Sequence, residues 1–518
     1  MLIESHRNLV FISKFAVMRY LDFLIKPIAR RQTRKTKNIH LLGVVNQLNT
    51  FGYLIKNSKN TSFGINHNFD QIDQYYDFKC QVEIQDYEAI KPYILRARNG
   101  EKNVLWKGRP IYFAKTSGTT SGSKYIPITK DSIGHHIKAA RNCLFAYVNE
   151  TGITDFFSKK MIFLQGSPSL DEENGIKIGR LSGIVYHHVP SWLLGNRLPS
   201  YTTNCIEDWD GKLNAIVEET AKEKMSLLSG IPPWCVMYFE QLLKKTGAEN
   251  LKTIYPDLQL YVHGGVNYKP YQNKMTALLG AGVDAIETYP ASEGFFAYQD
   301  SQKDEGLLLN LEAGIFYEFV KSEEIYNQQA NRVHLGGIEL GVDYVLIVST
   351  NAGLWAYNTG DTVRFVSVNP FRIVVTGRIK HFISAFGEHV IQEEVEAAIS
   401  QASEEMGVKY TEFTVAPIVA SDGGESCHEW FIELENAGDV DLALYTKKLD
   451  ELVQSRNSYY RDLRQGALLG QIKLTLIEAG GFASYFAENE KVGGQNKVQH
   501  LANNRELADK LLKYVKKG

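Results

Sequence analysis

Every residue from Thr116 to Ser123 is serine, threonine or glycine, and the run passes through Lys124 into an apolar segment, TSGTTSGSKYIPIT. Such residues build no core. They suit an anion, because glycine lets the backbone approach closely, successive amides form a nest and hydroxyls add donors. A nucleotide phosphate is the ligand this chemistry fits; the plainer reading is a polar turn between two strands. A Walker loop is excluded. It needs four residues between its glycines and then Lys-Ser/Thr. Here only three residues separate Gly118 from Gly122, and Ser123, Lys124 and Tyr125 follow, so a tyrosine stands where the magnesium-binding hydroxyl belongs.

Other loops carry further chemistry. In ETYPASEGF, Glu293 follows Tyr289 and Ser292 on a loop between strands, where a carboxylate can hold magnesium or simply face solvent. In LWAYNTGDTVRF, Asp361 follows a Thr-Gly turn and can accept two ribose hydroxyls or cap the turn. In TGRIKHFISAFGEHV, Arg378 and Lys380 mark a change in character of the chain. Lys497 sits in the glycine-rich KVGGQNKVQH. The pairs His135–His136 and His187–His188 read as packing or surface histidines, and neither a Gly-x-Ser-x-Gly elbow nor a His-Glu-x-x-His motif is present.

These residues need a scaffold. At 518 residues the chain is too long for one core, so two or three domains are expected. From about residue 160, short apolar runs alternate with helical patterns: KMIFLQGS, then KMSLLSG before a helix opened by Pro-Pro, then LQLYVHGG before another helix, then VDAIETYPASEGFFAYQ as strand, loop, strand. This rhythm implies an α/β domain with mostly parallel sheets flanked by helices, whose ligands lie on loops beyond the strands' carboxyl ends. After about residue 378 the pattern becomes a small α+β unit: helix IQEEVEAAISQA, strands EFTVAPIVA and HEWFIELE, helix DLALYTKKLDELVQ and strand QIKLTLIEA. The expected division is 1–380, a large domain with residues 1–17 as an optional extension ahead of Met18, and 381–518, a small one.

A net charge of −2 offers no excess to attract nucleic acid or a membrane surface. The N-terminal apolar stretch is broken by Lys14, Arg19 and Lys26, so it reads as an amphipathic helix and not as a membrane span. The basic run RRQTRKTK at Arg30–Lys37 reads as its solvated end. Five dispersed cysteines without metal or redox spacing suit a reducing, cytoplasmic compartment. A monomer or weak homodimer is expected.

The types and order of these loops resemble the adenylate-forming superfamily of acyl-CoA synthetases, luciferases and peptide-synthetase adenylation domains. The nearer resemblance is to its acyl acid–amido synthetase branch, which includes the plant enzymes that conjugate auxin and jasmonate to amino acids. TSGTTSGSKYIPIT, YPASEGFFAYQ and AGLWAYNTGD look like that branch's three nucleotide motifs, over nearly all of the chain from about residue 18. Tyr-Asn-Thr-Gly-Asp stands where the plant enzymes carry Tyr-Arg-Val-Gly-Asp, which bears on the substrates more than on the chemistry.

The resemblance implies that Ser117, Gly118, Thr119, Thr120 and Lys124 contact the ATP phosphates. Tyr289 would pack on adenine near Gly264–Gly265, with Ser292 beside the nucleotide. Glu293 would hold Mg2+, Asp361 would bind ribose with help from Arg378, and Lys497 would reach the reacting carboxylate and α-phosphate. The implied reaction joins a carboxylic acid to an amine, most simply an amino acid, through an acyl-adenylate. Two other readings stay open: an acyl-CoA ligase sharing the first step, and a catalytically silent nucleotide-binding protein, which would need neither a magnesium carboxylate nor a mobile lysine. The acid's pocket is expected around LSGIVYHHVPSWLLG at residues 181–195, with ordinary core as the alternative there, and apolar or aromatic acids as substrates.

Overall fold

In the computed structural model the described residues are 24–516, apart from 117–123, 190–194, 267, 269–270, 326, 328–329, 380–381, 389, 421–424, 436–439 and 490–497. A twelve-stranded sheet organises the larger part. One half is parallel and runs outward from Asp284–Ala291 through Leu260–Gly264, Met225–Ser229 and Lys160–Phe163 to Arg197–Leu198. The helices Pro232–Thr246 and Gln272–Leu279 make its crossovers. The first of them opens on prolines, which lose no hydrogen bond at a helix start.

The other half is antiparallel. From Asp284–Ala291 it continues through Gly294–Tyr298, Leu307–Leu309, Phe371–Arg378, Tyr357–Val368, Asp343–Thr350 and Ile315–Lys321 to Val333–His334. The expectation of mostly parallel sheets thus holds for the first half and is corrected for the second. Connections as short as Ser292–Glu293 and Asn369–Pro370 leave no room for the helical crossover that a parallel neighbour requires. The sheet changes sense at the turn Ser292–Glu293, since Ala291 pairs with Gly294 across it.

A separate three-stranded sheet, Tyr410–Ile418, Cys427–Leu434 and Lys473–Ile477, packs with the helices Gln392–Met406 and Leu442–Arg456, which is the small α+β arrangement expected after residue 378. All five cysteines are free thiols. No helix among the described residues is long and apolar enough to cross a membrane. The basic stretch is not merely solvated: Lys35 ion-pairs with Glu312 at 3.1 Å, and Glu312 also meets Lys138 at 2.8 Å.

Candidate active site

The strand Asp284–Ala291 carries Tyr289, and the two-residue turn that follows carries Ser292 and Glu293. Four strand steps separate this strand from Tyr357–Val368, which carries Asp361. Across a flat sheet that gap would be roughly 19 Å at about 4.8 Å per strand. Yet the Tyr289 hydroxyl donates to Asp361 Oδ2 at 2.5 Å. The sheet must therefore curl here. The short strand Leu307–Leu309 permits it, because it pairs with Arg372 and Ile373 at the far end of its neighbour and leaves the Arg378 end free of it.

Asp361 is aimed by a bulge. Thr362 pairs with Val345 and Asn358 with Ile347, so Thr359, Gly360 and Asp361 together oppose Leu346. Thr359 Oγ1 donates to the Leu346 carbonyl at 2.8 Å and accepts from the Asp361 amide at 3.2 Å. Gly360 lies at φ +80°. The expected Thr-Gly turn is therefore a strand with a bulge; the glycine that signals a turn serves here to redirect a side chain. A Cβ on Gly360 would meet no atom within 4 Å, so only backbone strain opposes it. Gly360→Ala is expected to cost about 1–3 kcal/mol in urea unfolding and to weaken nucleotide binding. An unchanged unfolding midpoint would remove the requirement for the bulge.

Arg378 ends the strand Phe371–Arg378, lies directly across from Asp361 and donates from Nε to Asp361 Oδ1. Asp361 is 9 % exposed, and its carboxylate keeps acceptor sites beyond these two bonds. Burial, and then the Asp361 carboxylate, push the Tyr289 phenol well above its ordinary pKa. The Glu293 carboxyl is also pushed up, by burial first; Lys124 and Arg378 pull it down and Asp361 pushes it further up. Lys124, Tyr289, Glu293, Asp361 and Arg378 therefore share one electrostatic neighbourhood. Gly264 pairs with Thr288, next to Tyr289, so closely that a Cβ would lie 2.2 Å from the Thr288 carbonyl oxygen. Gly265 turns the chain at φ +83°.

Lys124 opens the strand Lys124–Ile128, paired antiparallel to Tyr112–Thr116. The hydroxyl–glycine run thus joins two strands, whereas a Walker loop leads into a helix. Ser117, Gly118, Thr119 and Thr120 lie outside the described residues, as do Lys380 and Lys497. Sequence reasoning did not single out Tyr87, whose ring lies 5.6 Å from the Lys124 ammonium and whose hydroxyl accepts from the Tyr125 amide at 2.9 Å. Nor did it single out His263, buried and stacked 3.9 Å from Tyr268, with its pKa lowered to about 3 by burial. Tyr87 has no motif around it; His263 immediately precedes the glycine pair, which was the available signal. His136 is buried, with its pKa lowered to about 4, and no cluster of three or more metal-ligating side chains occurs among the described residues.

Three domain families match in register with this layout: the GH3 family N-terminal domain over residues 43–207, the GH3 family central domain over 308–378 and the GH3 family C-terminal domain over 393–506. The chain belongs to the GH3 family. Indole-3-acetic acid-amido synthetase GH3.3 of Arabidopsis thaliana is 22% identical over 486 residues, covering 78% of this chain and 80% of that protein. GH3.4 of the same plant is 21% identical, covering 84% and 85%. Among solved structures, the GH3.15 acyl acid amido synthetase in complex with 2,4-DB superposes with a TM-score of 0.59 at 15% identity, over 94% of this chain and 96% of that one. A 2-hydroxyisobutyryl-CoA ligase in complex with 2-HIB-AMP and CoA gives 0.57 at 12% identity, over 90% and 91%. These likenesses show that this GH3 chain shares its fold with both enzymes.

Proposed function

We propose that this GH3 chain is an ATP-dependent acyl acid–amido synthetase that activates a carboxylic acid as its acyl-adenylate, releases pyrophosphate and transfers the acyl group to an amine, in the simplest case an amino acid. The observation that carries the reading is the bonded set Tyr289–Asp361–Arg378 beside Glu293 and Lys124. It joins a site for a sugar diol to a region of alternating charge, which is what a nucleotide triphosphate needs.

A carboxylate is a poor electrophile, and both reactants are anions. Asp361 accepts the ribose hydroxyls while Arg378 fixes its orientation. Tyr289 and the Gly264–Gly265 turn border the base. Lys124, the hydroxyl–glycine run of Ser117, Gly118, Thr119 and Thr120, and Lys497 offset phosphate charge as the carboxylate attacks the α-phosphorus. Glu293 offers one half-buried carboxylate, which fits Mg2+, an ion held by one or two carboxylates together with substrate phosphates. That ion would add charge stabilisation at the phosphates. The amine then attacks the acyl carbon and AMP leaves, so no side-chain nucleophile is required. The acyl-CoA ligase reading shares the first step, and the fold likeness to a CoA ligase keeps a thiol acceptor in the test.

The deciding experiment screens carboxylic acids for pyrophosphate release, then supplies amino acids or coenzyme A and identifies the product by mass. Acid-dependent release followed by an amide product is expected; release followed only by a thioester would assign the acceptor to coenzyme A. Asp361→Ala is expected to weaken ATP binding by about 1.5–3 kcal/mol, the usual worth of hydrogen bonds to a charged group. Unchanged ATP affinity in the folded variant would sink the ribose assignment.

A further inference from the structure

Three arginines in the described residues are less than a tenth exposed: Arg197 at 7 %, Arg332 at 4 % and Arg372 at 5 %. Arg332 is paired with Glu318 at 2.8 Å, and Arg372 with Asp300 and Asp304. Arg197 has no carboxylate within ion-pair reach among the described residues. Its guanidinium stacks on the Tyr186 ring at 3.6 Å and lies 5.3 Å from the Phe163 ring. Nη1 makes a long bond to the Tyr186 carbonyl at 3.4 Å, and Nε is buried with no hydrogen-bond partner. The adjoining stretch 190–194, Pro-Ser-Trp-Leu-Leu, contains no acid either. A buried charge left without an opposite charge is costly, and proteins pair such charges or present them to a ligand.

The surroundings say what the ligand is like. Arg197 sits on the outermost parallel strand, beside Met161 of Lys160–Phe163. From there a row of aligned residues crosses the sheet toward the Tyr289 strand: Phe163 pairs with Ser229, and Ser229 with Val262. Phe163 and Ser229 close their strands, and all three residues are half-buried, so this row is a partly accessible, mainly apolar strip. Four strand steps, roughly 19 Å at about 4.8 Å each, separate the Arg197 strand from that of Tyr289. An acceptor amino acid keeps its carboxylate two bonds from the attacking nitrogen, which holds it next to the reacting carbon and far from Arg197. A long acid substrate spans the gap.

We infer that Arg197 is an anion subsite for the far end of the carboxylic-acid substrate, so that this enzyme selects acids with an apolar middle and a second acidic group. This rests on the acid-activating reading above and narrows its expectation of apolar or aromatic acids. Arginine suits the task, because its planar fork grips a carboxylate through two donors and it stays charged when buried.

The test titrates the full chain calorimetrically with dodecanedioate and hexadecanedioate against dodecanoate and hexadecanoate, then measures pyrophosphate release with the same acids. The wild type is expected to bind at least one diacid about 10-fold or more tighter than its monoacid, as a charge-assisted bond implies. In Arg197→Met the ratio should fall to about 1, and in Arg197→Lys, which keeps the charge but loses the fork, it should lie between. A wild-type ratio of one or less overturns the proposal without any variant. So does a ratio that survives Arg197→Met; if that variant fails to fold, a wild-type ratio retained in full by Arg197→Lys overturns it too. Diacid binding that depends on Arg197, with no pyrophosphate released by any acid, would uphold the subsite and reject acid activation.

Discussion

Glu293→Gln is expected to slow magnesium-dependent adenylation by about 10²-fold or more, the scale seen when a group that stabilises transition-state charge is lost. The substitution preserves the shape of the Ser292–Glu293 turn and removes only its charge. It should not destabilise the fold. Burial, the largest influence, raises the Glu293 pKa in the folded chain above its unfolded value. Stability from this group is then fully present below the unfolded pKa and is lost as pH rises through the folded one, so at neutral pH an ionised Glu293 works against folding. Gln removes that cost. Lost turnover with equal or greater thermal stability is the signature of a carboxylate kept for its ligand. A proton and Mg2+ also compete for it, so the magnesium requirement should steepen on acidification sooner than an ordinary glutamate would allow. Pyrophosphate release measured against magnesium concentration at several pH values checks both points. Near-normal turnover of Glu293→Gln at limiting magnesium would reduce Glu293 to a loop residue.

What the sequence made legible follows from how each feature is encoded. The parallel half of the sheet was readable because Met225–Ser229 and Leu260–Gly264 each run into glycine and then a helical pattern. The antiparallel half was not. Ile315–Lys321 and Asp343–Thr350 are buried on both faces, so their mainly apolar runs lack the alternation that marks a strand and give no hint of direction. Tyr289, Glu293 and Asp361 could be picked out because glycine and hydroxyl residues surround them. Their convergence could not, since it depends on a sheet that curls across four strands. Asp361 was assigned to a turn because a glycine at positive φ has the same composition in a bulge. Arg197 gave no signal at all: only the absence of a nearby acid among the described residues distinguishes it from Arg332 and Arg372.

Lys497→Ala is expected to slow acyl-adenylate formation by about 10²–10³-fold, the usual loss on removing one charge-stabilising donor. Amide formation from a supplied acyl-adenylate should proceed at close to the wild-type rate. The asymmetry follows from charge. When the carboxylate attacks phosphorus, negative charge builds on the α-phosphate, and a lysine there lowers the barrier. When the amine attacks the acyl carbon, negative charge builds first on the acyl oxygen and reaches the phosphate only as AMP leaves, and the lysine would stand in the acceptor's way. One closed site does not easily hold both groups, so residues 381–518 are proposed to swing about a hinge near Arg378–Lys380 between the steps. Ile383 and Phe386 join the apolar core of the large unit beside the hinge, while the described contact at Arg180 suits such a motion. Arg180 meets Asp462 at 3.1 Å and the Tyr459 ring at 4.3 Å, and the Arg180–Asp462 ion pair is partly exposed on both sides, a class worth about 0–1 kcal/mol. Closer contacts cluster beside the hinge, where Tyr271 donates to the Ala385 carbonyl at 2.5 Å and Gly387 lies against Ile231, positions that move little during a rotation about that point. Measuring the two half-reactions separately, by acid-dependent pyrophosphate exchange and by aminolysis of synthetic acyl-adenylate, decides the matter. Equal slowing of both would mean that Lys497 does not act on adenylation alone, and the swing would lose the requirement that motivates it.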